Sequence, residues 1–439
     1  MRIALGVFAF AFGCSSSSFE VSQAVDLDTG TLGSDTGTTV EDTRTTVSDG
    51  TTVSDTGSVD SGVVVTDGTV VESSVGCPIL TEVTEVWVDA TSTVMMPTGA
   101  PSCPFRHLAE AVTFVNSLPP KARTIRLRAG TYNESVAIML RPQVTLRGAG
   151  VETTTIAGGG PCMGIGSCIV RVDGGATLDG VTVDAGPTAK HGIVTGNTDP
   201  GGYPIIKNVK VTGAVGDGNA GILSSSGSLI GPNVDVTGNR FGLVIWGNQK
   251  VSITGGNNHF DKNTEIGINH EATGPLVFDG GGTVTGNGGD GVRVGGTATP
   301  TPPNHTLNGI TITDNIGAGV RIMANAGATL RGNRIVGNKW GVVAIFGSTN
   351  VIDLGTTSSA GNNNFGGGTV RNEKAALCAG GTRTTPMAAV TNRWVTCPTQ
   401  TKSLGDISTT ASCESITSYS DIWWRGVAAP DAASCSFGS

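Results

Sequence analysis

The chain has 439 residues and a formal net charge of −8, with 67 Gly, only 19 Pro, 14% charged and 5% aromatic residues. Glycine at about 15%, against a usual ~7%, without a three-residue period or abundant Pro excludes collagen. The 38% hydrophobic content excludes wholesale disorder, no apolar run reaches the ~18 residues of a membrane-spanning helix, and the excess of Val, Thr, Gly and Asn indicates an all-β chain with many turns.

Met1-Arg2 followed by the apolar run Ile3 to Phe12 and by Ala11-Phe12-Gly13-Cys14 has the layout of a secretory signal, residues 1–13, with small residues at −3 and −1 of a cleavage point. It resembles a bacterial lipoprotein signal, although Ala11 stands where that family favours Leu. The resemblance implies that Cys14 becomes the acylated first residue, which anchors the protein to the cell outer membrane. An ordinary signal cut before Cys14, giving a secreted protein, is allowed by the same small residues.

Residues 14–76 form the next segment, rich in Ser, Thr, Asp, Gly and Val. Between 15 and 76 stand eleven acids and one base, Arg44, for a net −10. The remainder, from residue 77, holds 25 bases and 24 acids and is nearly neutral. Self-repelling charge and a near absence of aromatics predict an extended, disordered linker. Neither part has the basic excess of a nucleic-acid binder, so no nucleic-acid partner is expected.

Nine cysteines leave eight once Cys14 is set aside, in the sequence-local clusters Cys77/Cys103, Cys162/Cys168, Cys378/Cys397 and Cys413/Cys435. Four disulfides with those neighbour pairings are the simplest arrangement of the 105 that eight cysteines allow. None of the clusters has C-x-x-C spacing and only 5 His are present, so no metal site is expected.

A folded domain is predicted over 77–372. Residues 104–118 carry Phe105, Leu108, Ala111, Val112 and Val115 at helical spacing, and Pro119-Pro120 stops the helix. Short strands are predicted at 124–127, 135–138, 143–146 and 153–156. Beyond about residue 190 the chain repeats itself. A Gly-aliphatic-x-aliphatic step recurs at Gly192, Gly221, Gly242, Gly267, Gly291, Gly319 and Gly341, at spacings of 29, 21, 25, 24, 28 and 22 residues. Asn239, Asn263, Asn287, Asn315 and Asn338 stand three or four residues ahead of the later glycines.

A unit of about 25 residues with short β-runs and no helix cannot bury its apolar face alone, whereas stacked units can. The repeat therefore predicts an all-β parallel solenoid, a β-helix of roughly ten coils and ~48 Å at ~4.8 Å per strand, right-handed by the chirality of parallel crossovers. The aliphatics point inward and the asparagines stack as an amide ladder. The helix caps the N-terminal end. A β-propeller is the runner-up, but its blades run nearer ~40–45 residues.

Phe105 through Ala111, Ile125 through Glu134 (Ile-Arg-Leu-Arg-Ala-Gly-Thr-Tyr-Asn-Glu) and Val144 through Gly150 (Val-Thr-Leu-Arg-Gly-Ala-Gly) resemble the opening of pectin-lyase-like right-handed parallel β-helix proteins. Asn362-Asn363-Asn364-Phe365 and Asn392-Arg393-Trp394 are similar to the closing segments of uncharacterised surface lipoproteins in that superfamily. The resemblance covers about residues 100–372 and implies fold more than activity.

Catalytic sets of that superfamily do not transfer. Asn197-Thr198-Asp199 is followed by Pro200-Gly201-Gly202, no Asp-Asp or Arg-Ile-Lys occurs, and Lys190-His191-Gly192 precedes the Asn where the hydrolases place their His after it. The single Gly288-Gly289-Asp290-Gly291 is similar to one calcium-binding repeat, but one copy is not a site, so Ca²⁺ is without support and no cofactor is expected.

The best physical candidate is an outward stripe. Alternation sends Val244 and Trp246, Asn269 and Glu271, Arg293, then Arg321 and Met323 away from the core. Trp246, Asn269, Glu271, Arg293 and Arg321 would suit an acidic glycan, the indole stacking on a sugar and the guanidinium forks binding carboxylate or sulfate. Glu271 or His270 could act as a base, though alternation turns His270 inward. The alternative is a solvated face in which both arginines pair with Glu271 and a loop covers Trp246. Residues 373–439, with four Cys and Trp394, Trp423 and Trp424, are expected to form a disulfide-stapled C-terminal cap.

The sequence thus predicts a monomeric surface lipoprotein that binds carbohydrate or a surface partner without catalysis. A polysaccharide lyase or glycoside hydrolase, and a structural or adhesive protein, are the alternatives.

Overall fold

The computed structural model describes residues 82–381, apart from 188–189, 197–201, 296–302, 324–325, 347–350, 357 and 368–369, together with 77, 78, 80 and 392 and the backbone of 65–66, 69–70, 402–403 and 420–425. All of them belong to one compact unit, 61–439. Cys14, Cys397, Cys413 and Cys435 lie outside the described residues.

Each coil contributes three short parallel strands to three faces. The first face stacks ten of them, in the order Ile138–Leu140, Ser167–Val172, His191–Thr195, Ala220–Ser224, Phe241–Ile245, Ile268–His270, Val292–Val294, Ala318–Ile322, Trp340–Phe346 and Ala375–Gly381. The second face begins with Glu85–Val88, Arg123–Leu127 and Val144–Arg147 and runs up to Ile352–Asp353. The third runs from Gly130–Glu134 to Arg334–Val336. Two longer strands, Thr177–Asp184 and Ile205–Thr212, serve both the second and third faces and turn the corner at Gly180 and Asn208, each at positive φ. Asn tolerates that left-handed backbone better than other side chains. Asn233 and Asn257 continue the corner, with Asn233 Nδ2 donating to Asn208 Oδ1 at 2.8 Å.

The repeat's aliphatics point inward as expected. Ile193, Ile222, Leu243, Ile268, Val292, Val320, Val342 and Leu377 occupy one register position through eight coils, each fully buried. Each such side chain contributes about 1.5–3 kcal/mol of burial free energy.

The asparagines form the expected ladder. Asn239, Asn263, Asn287, Asn315 and Asn338 each donate from Nδ2 to Oδ1 of the next, and Asn372 extends the series. This ladder explains the glycine column. A Cβ at Gly267 would sit 2.8 Å from Asn287 Nδ2 and 2.7 Å from Gly291 O, and the glycines from 221 to 341 are equally close to the next coil's Asn amide. The glycine is there for room, not for backbone freedom. A second buried ladder, Asn333–Asn363–Asn392, lies between the second and third faces.

The helix is Leu108–Ser117, four residues shorter at its start than the pattern predicts. Phe105 instead bridges Val88 and continues the ladder, and the helix begins where Glu134 Oε1 accepts the Leu108 N–H at 2.7 Å. Leu108, Ala111, Val112 and Val115 bury into the end of the core, closing it. Of the strands expected at the start, the one at 135–138 falls instead at Ile138–Leu140.

Disulfides join Cys77 to Cys103 and Cys162 to Cys168, as expected, and Cys378 is also disulfide-bonded. The parallel ladder does not stop at residue 372. Ala375–Gly381 stacks on Trp340–Phe346, with Ala376 in the glycine position, and the backbone of 420–425 pairs with it in turn. The missing glycine is why the repeat fades there in the sequence.

Candidate functional site

The first face carries the stripe expected from alternation. Val244, Asn269, Arg293 and Arg321 are successive partners in one outward column. Trp246, Glu271, Gly295 and Met323 form the neighbouring column, each donating its N–H to the carbonyl one coil back. Trp246 is 52% exposed and Met323 37%.

Two members sit deeper than expected. Val244 is covered, packing with Val194, Leu223 and the Cys162–Cys168 hairpin in a small outer cluster. Outward direction does not ensure exposure where a neighbouring hairpin folds over the sheet. Asn269 is 4% exposed; its Nδ2 donates to Glu271 Oε1 at 2.8 Å, and its Oδ1 is buried without a partner among the described residues.

The arginines are paired, but not with Glu271. Both converge on Asp290, whose residue is 2% exposed. Arg293 reaches Asp290 Oδ2 from Nε at 3.0 Å and Nη2 at 2.9 Å; Arg321 reaches Oδ2 from Nε at 2.7 Å and Oδ1 from Nη2 at 3.1 Å. The Ala318 N–H adds a bond to Oδ1 at 2.8 Å. Burial opposes the charge on Asp290, yet the hydrogen bonds and charges of Arg321, Ala318 N–H and Arg293 hold its carboxyl below the usual carboxylate range. Two guanidiniums share one carboxylate, leaving one positive charge in excess. Nη1 of each makes no hydrogen bond among the described residues, so that edge remains for an anion.

His270 is turned inward as alternation requires and is 1% exposed. Its ring meets that of His305 edge to face with centroids 4.3 Å apart, and burial lowers the pKa of both, His305 well below the ordinary value. Both are core groups, so His270 is not placed to act as a base on an outside ligand.

A second cluster, which the repeat does not reveal, lies on the third face. Lys210, Asp235, His259 and Thr283 are stacked partners in one outward column. Thr283 Oγ1 donates to Asp261 Oδ2 at 2.6 Å and lies 2.7 Å from His259 Nδ1. The hydroxyl has one hydrogen, so it accepts from Nδ1–H, and in the neutral tautomer this selects, Nε2 is the lone-pair nitrogen. Burial pushes the Asp235 carboxyl up, against the pull of Lys210 and His259. Among the described residues no group of three or more His, Cys, Asp or Glu is arranged to hold a metal ion, and no helix is long and apolar enough to cross a membrane.

The pairing defines a parallel β-helix, a solenoid with a helical N-terminal cap. Residues 241–374 match the family model described as a right-handed β-helix region. Similar solved structures include the A-module of the mannuronan C-5 epimerase AlgE4 of Azotobacter vinelandii, with 16% identity over 75% of this chain and 94% of that one and a TM-score of 0.42. Others are the pectin methylesterase PemA of Erwinia chrysanthemi (13% identity, 55% and 80% covered, TM-score 0.28) and tailspike protein 3 of bacteriophage CBA120 (14%, 80% and 59%, 0.32). No curated protein matches the chain in sequence.

Proposed function

We propose that the protein is a surface lipoprotein, acylated at Cys14 and held off the outer membrane by the acidic segment 14–76, whose β-helix binds an acidic polysaccharide along its first face. The supporting observation is the Asp290-anchored pair Arg293 and Arg321 on the same face as exposed Trp246, which stands in the neighbouring column. From Trp246 to Arg321 is three coils, ~14 Å along the axis. A glycan lying along that axis stacks one sugar on the indole and places carboxylates or sulfates against the free Nη1 edges. Because Asp290 fixes both guanidiniums beforehand, little side-chain entropy is lost on binding.

The test is binding of the full-length protein to an array of acidic and neutral polysaccharides. The Arg293→Ala/Arg321→Ala double variant is expected to lose at least tenfold in affinity for the acidic ligand, and Trp246→Ala several-fold. Unchanged binding by the double variant overturns this reading. Mass spectrometry of the mature N-terminus checks the acyl group on Cys14.

The His259–Thr283–Asp261 relay beside Asp235 favours a second reading, acid–base cleavage of a glycan on the third face. Asp235 would protonate the leaving oxygen and His259 would take a proton through Nε2. New reducing ends or unsaturated uronates released from the same polysaccharides, and lost in His259→Asn, would support it; intact polysaccharide removes it.

A further inference from the structure

At the N-terminal end of the stack, the last turn of the helix and the following loop enclose a cleft of about 250 Å³ with the loop at 141–144. Neither glycan reading uses it. Val115, Leu118 and Val144 give it apolar walls, and Lys121, Arg123 and Arg141 line it as well.

The charges are unbalanced. Lys121 is paired with Glu82. Arg123, only 9% exposed, is met by carbonyls alone: Nε donates to Val83 O at 3.0 Å, and Nη1 to Pro119 O at 2.6 Å and Lys121 O at 3.4 Å. Among the described residues its Nη2 makes no hydrogen bond and no carboxylate lies within ion-pair distance of it. Arg141 donates from Nη1 to Asn116 O at 3.0 Å and likewise has no carboxylate partner among the described residues. A buried cation is ordinarily neutralised, because carbonyls satisfy its hydrogens but not its charge. A second vacancy is on Asn116. Its Nδ2 donates to Met139 O at 3.0 Å, which fixes the amide's orientation, while its Oδ1 is buried without a partner among the described residues.

We infer that this cleft binds a small amphipathic carboxylate: an anion for Arg123 and Arg141, an apolar body for the Leu118–Val144 walls, and a hydroxyl donor for Asn116 Oδ1. Each part answers a group left open by the protein. Inorganic phosphate leaves the apolar walls wet, and a neutral sugar leaves the guanidiniums uncompensated. The volume is just under that of drug-sized pockets, so the ligand is small, such as a hydroxyaryl acid.

The probe is 4-hydroxycinnamate, titrated into the full-length protein by calorimetry or ligand-observed NMR, with its neutral amide and hydroxyl-free cinnamate as controls. A dissociation constant below about 1 mM is expected. The amide should bind at least tenfold more weakly, and cinnamate several-fold more weakly. Arg141→Glu, at an exposed position, should weaken the anion at least tenfold with an unchanged thermal midpoint, and Arg141→Gln repeats the test should the reversal disturb folding. Arg293→Ala/Arg321→Ala should leave this binding intact, which separates it from the first-face site. No binding at millimolar concentration, equal affinity for the amide, or indifference to both Arg141 variants overturns the inference.

Discussion

Asn287→Ala tests the ladder where it is fully buried. The Asn287 side chain makes four hydrogen bonds. Oδ1 accepts from Asn263 N at 3.0 Å and Asn263 Nδ2 at 3.1 Å, and Nδ2 donates to Phe260 O at 3.0 Å and Asn315 Oδ1 at 2.8 Å. After truncation Asn315 Oδ1 keeps the Asn287 N–H, at 3.0 Å, but Asn263 N–H, one Asn263 amide hydrogen and Phe260 O lose partners. At about 1–3 kcal/mol for each orphaned buried group, less what water entering the gap restores, the expected loss is about 4 kcal/mol. Asn233→Gly is the comparison: it breaks an exposed ladder while keeping the left-handed backbone at φ 58, and should cost under about 1 kcal/mol. Urea unfolding followed by far-ultraviolet circular dichroism gives the difference. Hydrogen exchange at Asn239 and Asn263 shows whether the weakening is local, as a solenoid of nearest-neighbour coils requires. The reasoning is refuted if Asn287→Ala costs no more than Asn233→Gly.

Gly267→Ala places a methyl 2.5 Å from Val284 Cγ1 as well as against the Asn287 amide, and should lose about 1–3 kcal/mol or more in the same urea assay. His270 and His305 make stability fall in acid. Their folded pKa values are lowered, so the folded state excludes protons that the unfolded chain takes up; their contribution is whole above the unfolded value near ~6.5 and is lost as pH falls below it, by up to about 1.4 kcal/mol per pH unit for each ring. Denaturation midpoints measured from pH 8 to 5 should fall steeply below 6.5, and the fall should be shallower in His305→Leu. Asp290→Asn leaves two guanidiniums converging without a counter-charge and should cost about 3–5 kcal/mol, read as a lowered thermal midpoint.

The parts legible in the sequence are those the coil repeats. Inward aliphatics, the room-making glycines and the Asn239–Asn338 ladder recur because every coil meets the same neighbour above and below, so packing writes the same residues at the same interval. The pattern fades where that constraint changes. Phe105 looks helical because its spacing to Leu108 is helical, and only the bridge to Val88 settles it otherwise. Ala376 replaces glycine and hides a further coil.

The candidate site sits where the repeat says nothing. Asp290 is fixed by Arg321, 31 residues away, and its acidic side chain stands outside the periodic slots. The same holds for Arg123, whose burial follows from the helix ending against the first coils and not from any spacing. An outward position on a β-helix is released from the core's demands, so its residue records what lies outside the protein, and one sequence shows that record without the means to separate it from chance. A solvated arginine face needs no buried acid, whereas Asp290 accepts five hydrogen bonds at 2% exposure to hold two guanidiniums in place. Burying a carboxylate costs several kcal/mol, offset only when its partners are well placed. That cost is spent on the first face, one column over from exposed Trp246, and it is the feature on which the proposed glycan surface rests.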